Sequence, residues 1–328
     1  MSIQIISAPD EFNTESLFVD LAPIIGNRLL LKCEGFNFAG SIKLKAARAM
    51  VDDAERAGAL RPGSTLVESS SGNLGVALSL VAASRGYRFI CVTDARCTLG
   101  ARQTIQALGG EVHVITEPHP VTGLLGARID YVRELCEGRD DYLWLNQYAN
   151  PNNWRAHYRL TGPEILSAFP DLTVLFVGAG TTGTLMGCAR YVRDHKPSVR
   201  IIAVDAVGSV TFGGASTQRL IPGLGTSVRP ALLDESFVDE VVMVPEVDTV
   251  RTCRQLARAG YLFGGSTGTV VSGAIGWLAD HPLPPAASAV AVAPDLGERY
   301  LDTVYQDQWV SGVYGLDALE QAAGMEAG

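Results

Sequence analysis

Lys43 is the first residue in this chain whose type and setting suggest chemistry. It follows Gly40-Ser41, which reads as a turn with Ser41 as helix cap, and it opens a helical pattern. At helical spacing Lys43 shares a face with Ala46, Ala47, Met50 and Ala54, whereas Lys45 shares one with Arg48, Asp52 and Arg56. Lys45 is therefore expected in water and Lys43 is not. An amine on apolar surface beside a helix N-terminus loses hydration and meets the positive end of the helix dipole. Both effects favour the neutral amine, the form that makes Schiff bases. The segment alone also fits a surface lysine whose stem lies along apolar neighbours.

The second candidate is a phosphate receptor. Gly178, Gly180 and Gly183 stand in G-x-G-x-x-G order between a strand-like run and a helical pattern, and Asp205 ends the next apolar run. That spacing fits a dinucleotide site and would make the chain an NAD-dependent dehydrogenase. Physically it specifies only bare amides and a helix end facing some phosphate. Thr181, Thr182 and Thr184 add hydroxyls that suit a compact terminal phosphate at least as well, and an ordinary tight turn is a third option. Three further loops repeat the style. Ser69-Ser70-Ser71-Gly72-Asn73-Leu74-Gly75 opens an apolar helix and could receive a carboxylate or phosphate. Gly264-Gly265-Ser266-Thr267-Gly268 opens another, and Ile221-Pro222-Gly223-Leu224-Gly225 is apolar. Each by itself also fits a plain turn or helix cap.

Loops of this kind need a rigid frame. Strand-length apolar runs at 64–68, 88–93, 111–115 and 142–147 alternate with helical patterns near 73–84, 98–108 and 123–137. A second series has strands at 172–177, 200–205, 238–244 and 288–293, with helices to about 194 and over 248–259 and 267–279. The alternation predicts an α/β fold of two doubly wound open sheets. The polar stretch NPNNWRAHY after Gln147 reads as a boundary, and the Ala/Gly-rich tail from about 314 reads as loosely held.

Composition narrows the function classes. With 328 residues, 47% hydrophobic and 19% charged, the chain is a folded protein of about two domains rather than a disordered or fibrous one. A net charge of −9 with scattered basic residues gives no footprint for nucleic acid or an anionic membrane. The opening MSIQIISAPDEFNTES has no basic region followed by a long apolar one, no run approaches roughly 20 apolar residues, and a cytoplasmic location is expected. Six cysteines without a C-x-x-C pair are expected to be reduced core residues, and no metal site is assigned.

Taken together, GSIK, SSGN, NQYANPNNWRAH with TGPEI, GAGTTGT, GGSTG and PDLGERYL occur in an order that resembles the fold type II pyridoxal-phosphate enzymes, in the cysteine synthase branch, from about residue 18 to 310. The resemblance implies a tryptophan synthase β-like architecture with pyridoxal 5′-phosphate between a smaller, mobile domain (36–149) and a larger one (1–35 plus 150–328). It implies that Lys43 holds the cofactor covalently and serves as the base at Cα, and that Asn73 bonds the ring hydroxyl. Gly180, Thr181, Thr182, Gly183 and Thr184 would cradle the phosphate, and Ser266 would face the ring nitrogen. A serine there leaves that nitrogen largely unprotonated, which favours β-elimination over transamination. Ser70, Ser71, Asn73 and Gln147 would receive the substrate carboxylate, with Gly223 against the bound amino acid. A homodimer is also implied.

The chain departs from ordinary cysteine synthases at Lys43-Leu44-Lys45, at Leu74 after Asn73, and at Asn37-Phe38-Ala39. YLWLNQYANPNNWRAHY, AVDAVGSVTFG, IPGLG and PDLGERYLDTVYQDQW resemble instead the N-(2-amino-2-carboxyethyl)-L-glutamate synthases of siderophore and antibiotic pathways. The reaction this implies joins O-phospho-L-serine and L-glutamate with loss of phosphate, the first step towards 2,3-diaminopropionate, with an NAD-dependent dehydrogenase acting next. A cysteine synthase using O-acetylserine or O-phosphoserine with sulfide is the alternative. An anionic leaving group and a dicarboxylate nucleophile need cationic and hydroxyl partners. Arg128 and Tyr148 are the favoured candidates, with Arg133 also on the helix of 123–137. Arg299 and Tyr300 lie in a family motif and fit a site role or a structural role at the sheet end equally well, while His157 is expected to be a structural hydrogen-bonder.

Overall fold

The computed structural model describes residues 6–13, 17–284 and 287–315. Ten strands form two sheets: β1 (Phe18–Asp20), β2 (Leu30–Cys33), β3 (Thr65–Ser69), β4 (Arg88–Asp94), β5 (Glu111–Ile115), β6 (Tyr142–Trp144), β7 (Leu172–Gly178), β8 (Arg200–Ala206), β9 (Glu240–Val244) and β10 (Ser288–Ala293). One sheet runs β5-β4-β3-β6 and the other β1-β2-β10-β7-β8-β9. Every pairing is parallel except β1 with β2. The two predicted sheets are both present.

The central strands are apolar throughout because both faces are covered. In β10, Ala289, Ala291 and Ala293 pack on one side with Val270, Ala274 and Trp277 of the helix Gly265–Asp280. Val290 and Val292 pack on the other with Leu185, Met186 and Val192 of the helix Gly183–His195. The same period of two divides Phe176 from Val177 in β7 and Ile202 from Ile201 in β8. Each such side chain removed from water contributes about 1.5–3 kcal/mol for the larger aliphatics. In the smaller sheet Leu66, Phe89 and Cys91 face the helices Lys43–Arg56 and Asn73–Arg85, while Val67, Ile90 and Val92 face Val132 of the helix Gly123–Cys136.

Two expectations are corrected, for Ser41 and for Lys45. The stretch NPNNWRAHY, read as a boundary, is folded. Pro151–Arg159 is a helix capped by the Asn150 side chain on the Asn152 amide (3.0 Å), with Asn152, Asn153 and His157 buried. Ser41 does not cap the helix Lys43–Arg56; its N-cap is Ile42, with no side-chain capping bond. Lys45 is not solvated. Its amine lies 3.0 Å from Glu34 and 2.9 Å from Glu164, with Lys32 on the same two carboxylates. Burial opposes its charge, but the two glutamates outweigh burial and raise its pKa. The Ala/Gly-rich tail from 316 onward lies outside the described residues. All six cysteines are unpaired, five of them buried. Among the described residues no helix is long and apolar enough to cross a membrane.

Candidate active site

The carboxyl ends of strands from both sheets open onto one cavity, where ligands of open parallel sheets bind. The loops after β3, β4, β6, β7 and β10 reach it, as does the Ile221–Gly225 loop. The fourteen residues given cofactor or substrate roles in the resemblance above line its wall, Arg128 and Tyr148 among them.

Lys43 is the first residue of its helix. Ile42, Leu44 and Ala46 near it are buried, and Ala47 and Met50 carry the apolar face into the small-sheet core. Part of the Lys43 surface faces the cavity, yet protein encloses the amine. Burial lowers its pKa to about 8, against 10.5 for an ordinary lysine. A substantial share of the amine is then neutral near physiological pH. In cofactor-free protein, the rate of pyridoxal phosphate uptake should rise about tenfold per pH unit in acid and level off above about pH 8. Stopped-flow absorbance of the lysine-bound cofactor checks this; a rate still climbing near pH 10 would mean an unperturbed lysine.

The loop after β7 turns on Thr182, whose φ of 65° lies in the left-handed region, and delivers the chain into the helix Gly183–His195. Neighbours brace it. The Asn153 amide donates to Thr181 Oγ1 (3.0 Å) and to the Gln147 carbonyl (2.8 Å). His157, fully buried, bridges Thr161 Oγ1 (3.1 Å) and Thr184 Oγ1 (3.2 Å). Burial, with Lys45 and Lys43 nearby, holds this imidazole well below its usual pKa, so it is neutral and structural. A Cβ on Gly180 would meet the Gly223 carbonyl at 2.6 Å, and one on Gly183 would overlap the Asn153 carboxamide. Gly223 itself has φ 116°, and a Cβ there would overlap Ser266 Oγ. Gly223→Ala should weaken cofactor retention roughly ten- to hundredfold, the equivalent of about 1–3 kcal/mol of strain. Fluorescence titration of cofactor-free protein measures it; unchanged affinity would show that this contact is slack.

Asn73 is held from both ends. Its amide donates to Asp295 Oδ2 (3.1 Å), and its oxygen accepts from Arg299 Nη1 (2.8 Å). Asp295 also accepts from Tyr300 (2.6 Å) and from the Thr267 amide (3.1 Å). Arg299 reaches the Ala39 carbonyl beside Gly40 as well. Arg299 and Tyr300 thus join three loops and do not line the cavity, in keeping with a structural role.

The carboxylate loop is partly committed to itself. Ser70 Oγ accepts the amides of Gly72 (3.2 Å) and Gly75 (2.9 Å), keeping only its own hydrogen to donate. Gln147 spends one amide hydrogen on the Ser69 carbonyl (2.6 Å), and Tyr148 OH lies 3.3 Å from the same oxygen. Glu68, fully buried beneath, accepts from the amides of Ser69 (2.9 Å) and Gln147 (3.1 Å) and from Trp144 Nε1 (3.1 Å). Burial raises its pKa to about 7.

Arg128 is 2% exposed, lies 3.2 Å from Asp94, and has a buried Nη1 with no hydrogen-bond partner. Arg96 binds the same Asp94 through two nitrogens (3.0 and 2.8 Å). Burial works against ionisation of Asp94, but these two arginines keep its pKa low. Arg219, 5% exposed, completes the cationic wall. Arg133, in contrast, is exposed beside Asp130 and lies away from the cavity.

Residues 11–295 match the family model described as pyridoxal-phosphate dependent enzyme. The chain belongs to this family. Relatives of this pyridoxal-phosphate enzyme include two N-(2-amino-2-carboxyethyl)-L-glutamate synthases, from Cupriavidus metallidurans and Ralstonia nicotianae. Each is 38% identical over 90% of this chain, covering 87% and 88% of the respective relative. A crystal structure of an O-ureido-L-serine synthase superposes with a TM-score of 0.84 at 34% identity, covering 97% of this chain and all of that one. An O-acetylserine-dependent cystathionine β-synthase from Helicobacter pylori gives a TM-score of 0.84 at 26% identity, over 93% of this chain and all of that one.

The site fits the family's cofactor on its own geometry. Thr182 Oγ1, a hydroxyl able to donate, is buried without a partner at a glycine-cradled helix N-terminus, which suits a phosphate. The enclosed Lys43 amine lines the same cavity. The dehydrogenase reading of Gly178, Gly180, Gly183 and Asp205 falls with the family: Asp205 is fully buried, accepts the Ala206 amide (2.8 Å), and is absent from the cavity wall. Asp295, Asn153, Arg96 and Arg219 are the site residues the sequence left unnamed. The motifs PDLGERYL and NPNNWRAHY contain the first two.

Proposed function

We propose that this enzyme joins O-phospho-L-serine to the α-amine of L-glutamate, giving N-(2-amino-2-carboxyethyl)-L-glutamate and phosphate. The observation that carries the reading is the wall of Arg96, Arg128 and Arg219, with Asp94 alone among the described residues ion-paired against it, in the cavity that holds Lys43. The names of the 38%-identical relatives support it.

Pyridoxal phosphate bound here supplies an electron sink that makes the substrate Cα–H acidic and its β-substituent able to depart. Lys43 would anchor it, and the Lys43 amine would take the Cα proton and later return one. Asn73, Ser266 and the 180–184 loop hold the cofactor. Ser70, Ser71, Asn73, Gln147 and Gly223 receive the amino acid, whose carboxylate takes the unspent donors of the serine loop. Arg128 and Tyr148 bind the departing phosphate, and the Cβ–O bond they attend breaks before the Cβ–N bond to glutamate forms. The smaller lobe, 36–149, closes on the larger when the serine loop is filled. The enzyme acts as a homodimer in the cytoplasm, and an oxidising, NAD-dependent enzyme consumes its product to release 2,3-diaminopropionate.

Measuring kcat/KM for each donor (O-phospho-L-serine, O-acetyl-L-serine) with each acceptor (L-glutamate, sulfide) tests the reading. The phosphoserine and glutamate pair should exceed the others by at least about tenfold; a preference for sulfide would overturn it.

A further inference from the structure

A second, half-open cavity of about 620 Å³ abuts the first and shares Arg96, Arg219 and Ser227 with it. Its own wall adds Arg102 from the helix Leu99–Ala107, together with Leu124, Leu220 and Trp309. Among the described residues Arg102 has no carboxylate within ion-pair distance, and its Nε is buried with no hydrogen-bond partner. Arg219 gives Nη1 to the carbonyls of Gly208 (3.0 Å) and Thr226 (3.1 Å) and likewise has no carboxylate partner. Burial first, and then the nearby charge of Arg96, depress the Arg219 pKa; the charges of buried Asp205 and of Glu246 offset this only in part. Asp94 offsets Arg96, and Asp302 at the rim spends Oδ2 on the Leu99 amide (3.4 Å). Glu246 acts on Arg96 and Arg219 from a distance, but its oxygens accept the amides of Leu220 (2.8 Å) and Ile221 (2.8 Å). A net cationic recess in a chain of charge −9 is a local device for anions.

We infer that this recess is the docking subsite of the second substrate, an amino acid with an acidic side chain, and that Arg102 holds its distal carboxylate. The inference rests on the β-replacement proposed above. Its apolar portion, Leu124, Leu220 and Trp309, suits a short aliphatic chain ending in a carboxylate better than a bare phosphate on its way out. Arg96 and Arg219 stand where the two cavities meet, so an amine presented past them enters the chamber that contains Lys43.

The test uses holoenzyme and steady-state kinetics with both substrates. Arg102→Gln should raise the KM for L-glutamate about tenfold, and Arg102→Glu further. Arg102→Lys should restore most of the loss. The KM for O-phospho-L-serine and product inhibition by inorganic phosphate should shift less than about twofold. The exposed Arg133→Gln serves as the charge-matched control. Conjugate formed by wild type with an unmoved glutamate KM in the Arg102 variants would overturn the subsite alone. A shift confined to phosphate inhibition would make the recess an exit for phosphate and overturn it too. No conjugate from wild type would overturn the β-replacement reading and this inference with it.

Discussion

Lys43→Ala is expected to lower turnover by about 10⁴-fold or more and to remove the absorption band of the lysine-bound cofactor, while the fold persists. Loss of a positioned base costs roughly 10²–10⁴-fold, and loss of the covalent anchor adds to that. The nearby amines cannot substitute. Lys45 points to Glu34 and Glu164, and Lys32 shares those carboxylates, so both are held away from the cavity. Alanine is a good helix former, and among the described residues Lys43 makes no ion pair that the helix would lose. Circular dichroism should match wild type, and phosphate release from O-phospho-L-serine should vanish. Substantial release by a well-folded Lys43→Ala protein would show that another group is the base.

Arg128→Gln should lower kcat/KM for O-phospho-L-serine about 100-fold, equivalent to about 2.7 kcal/mol at 1.36 kcal/mol per tenfold. A buried guanidinium with an unpartnered nitrogen has lost water without full replacement, so an arriving phosphate gains a charge-assisted hydrogen bond of about 1.5–3 kcal/mol. Asp94 would not be stranded, because Arg96 still holds it through two nitrogens. With O-acetyl-L-serine, whose leaving group has no such charge while bound in the ester, the loss should be under about tenfold. The readout is therefore the donor ratio, which general damage to the fold would leave unchanged. Equal losses for both donors would contradict a phosphate-binding role for Arg128.

The sequence made the sheets legible where strands were buried on both faces. Runs such as RIIAVD and SAVAVA have no polar interruption, and both became strands within one residue of expectation. β1 and β2 escaped notice for physical reasons. β1 has three residues, too few to show a period, and β2 places fully buried Lys32 inside its apolar run. Lys32, Lys45, Glu34 and Glu164 neutralise one another across elements more than 100 residues apart, a pairing that local periodicity cannot reveal. The same limit explains why Lys45 read as solvated.

At the site, glycine and hydroxyl loops announced themselves because helix N-termini that meet anions restrict the local residue types. The braces behind those loops did not. Asn153 and His157 sit on a polar helix that looks like linker until its burial is known, and Asp295 gains its importance from three loops converging on it. Arg96 and Arg219 join Arg128 only through the meeting of two sheets.

The most direct test supplies the holoenzyme with O-phospho-L-serine and ¹⁵N-labelled L-glutamate and follows phosphate and products together. The account predicts one phosphate for each conjugate formed, with the ¹⁵N label retained in a secondary amine between the two carbon skeletons by mass spectrometry. Phosphate released without labelled conjugate, or no phosphate at all from a fully cofactor-loaded protein, would contradict it.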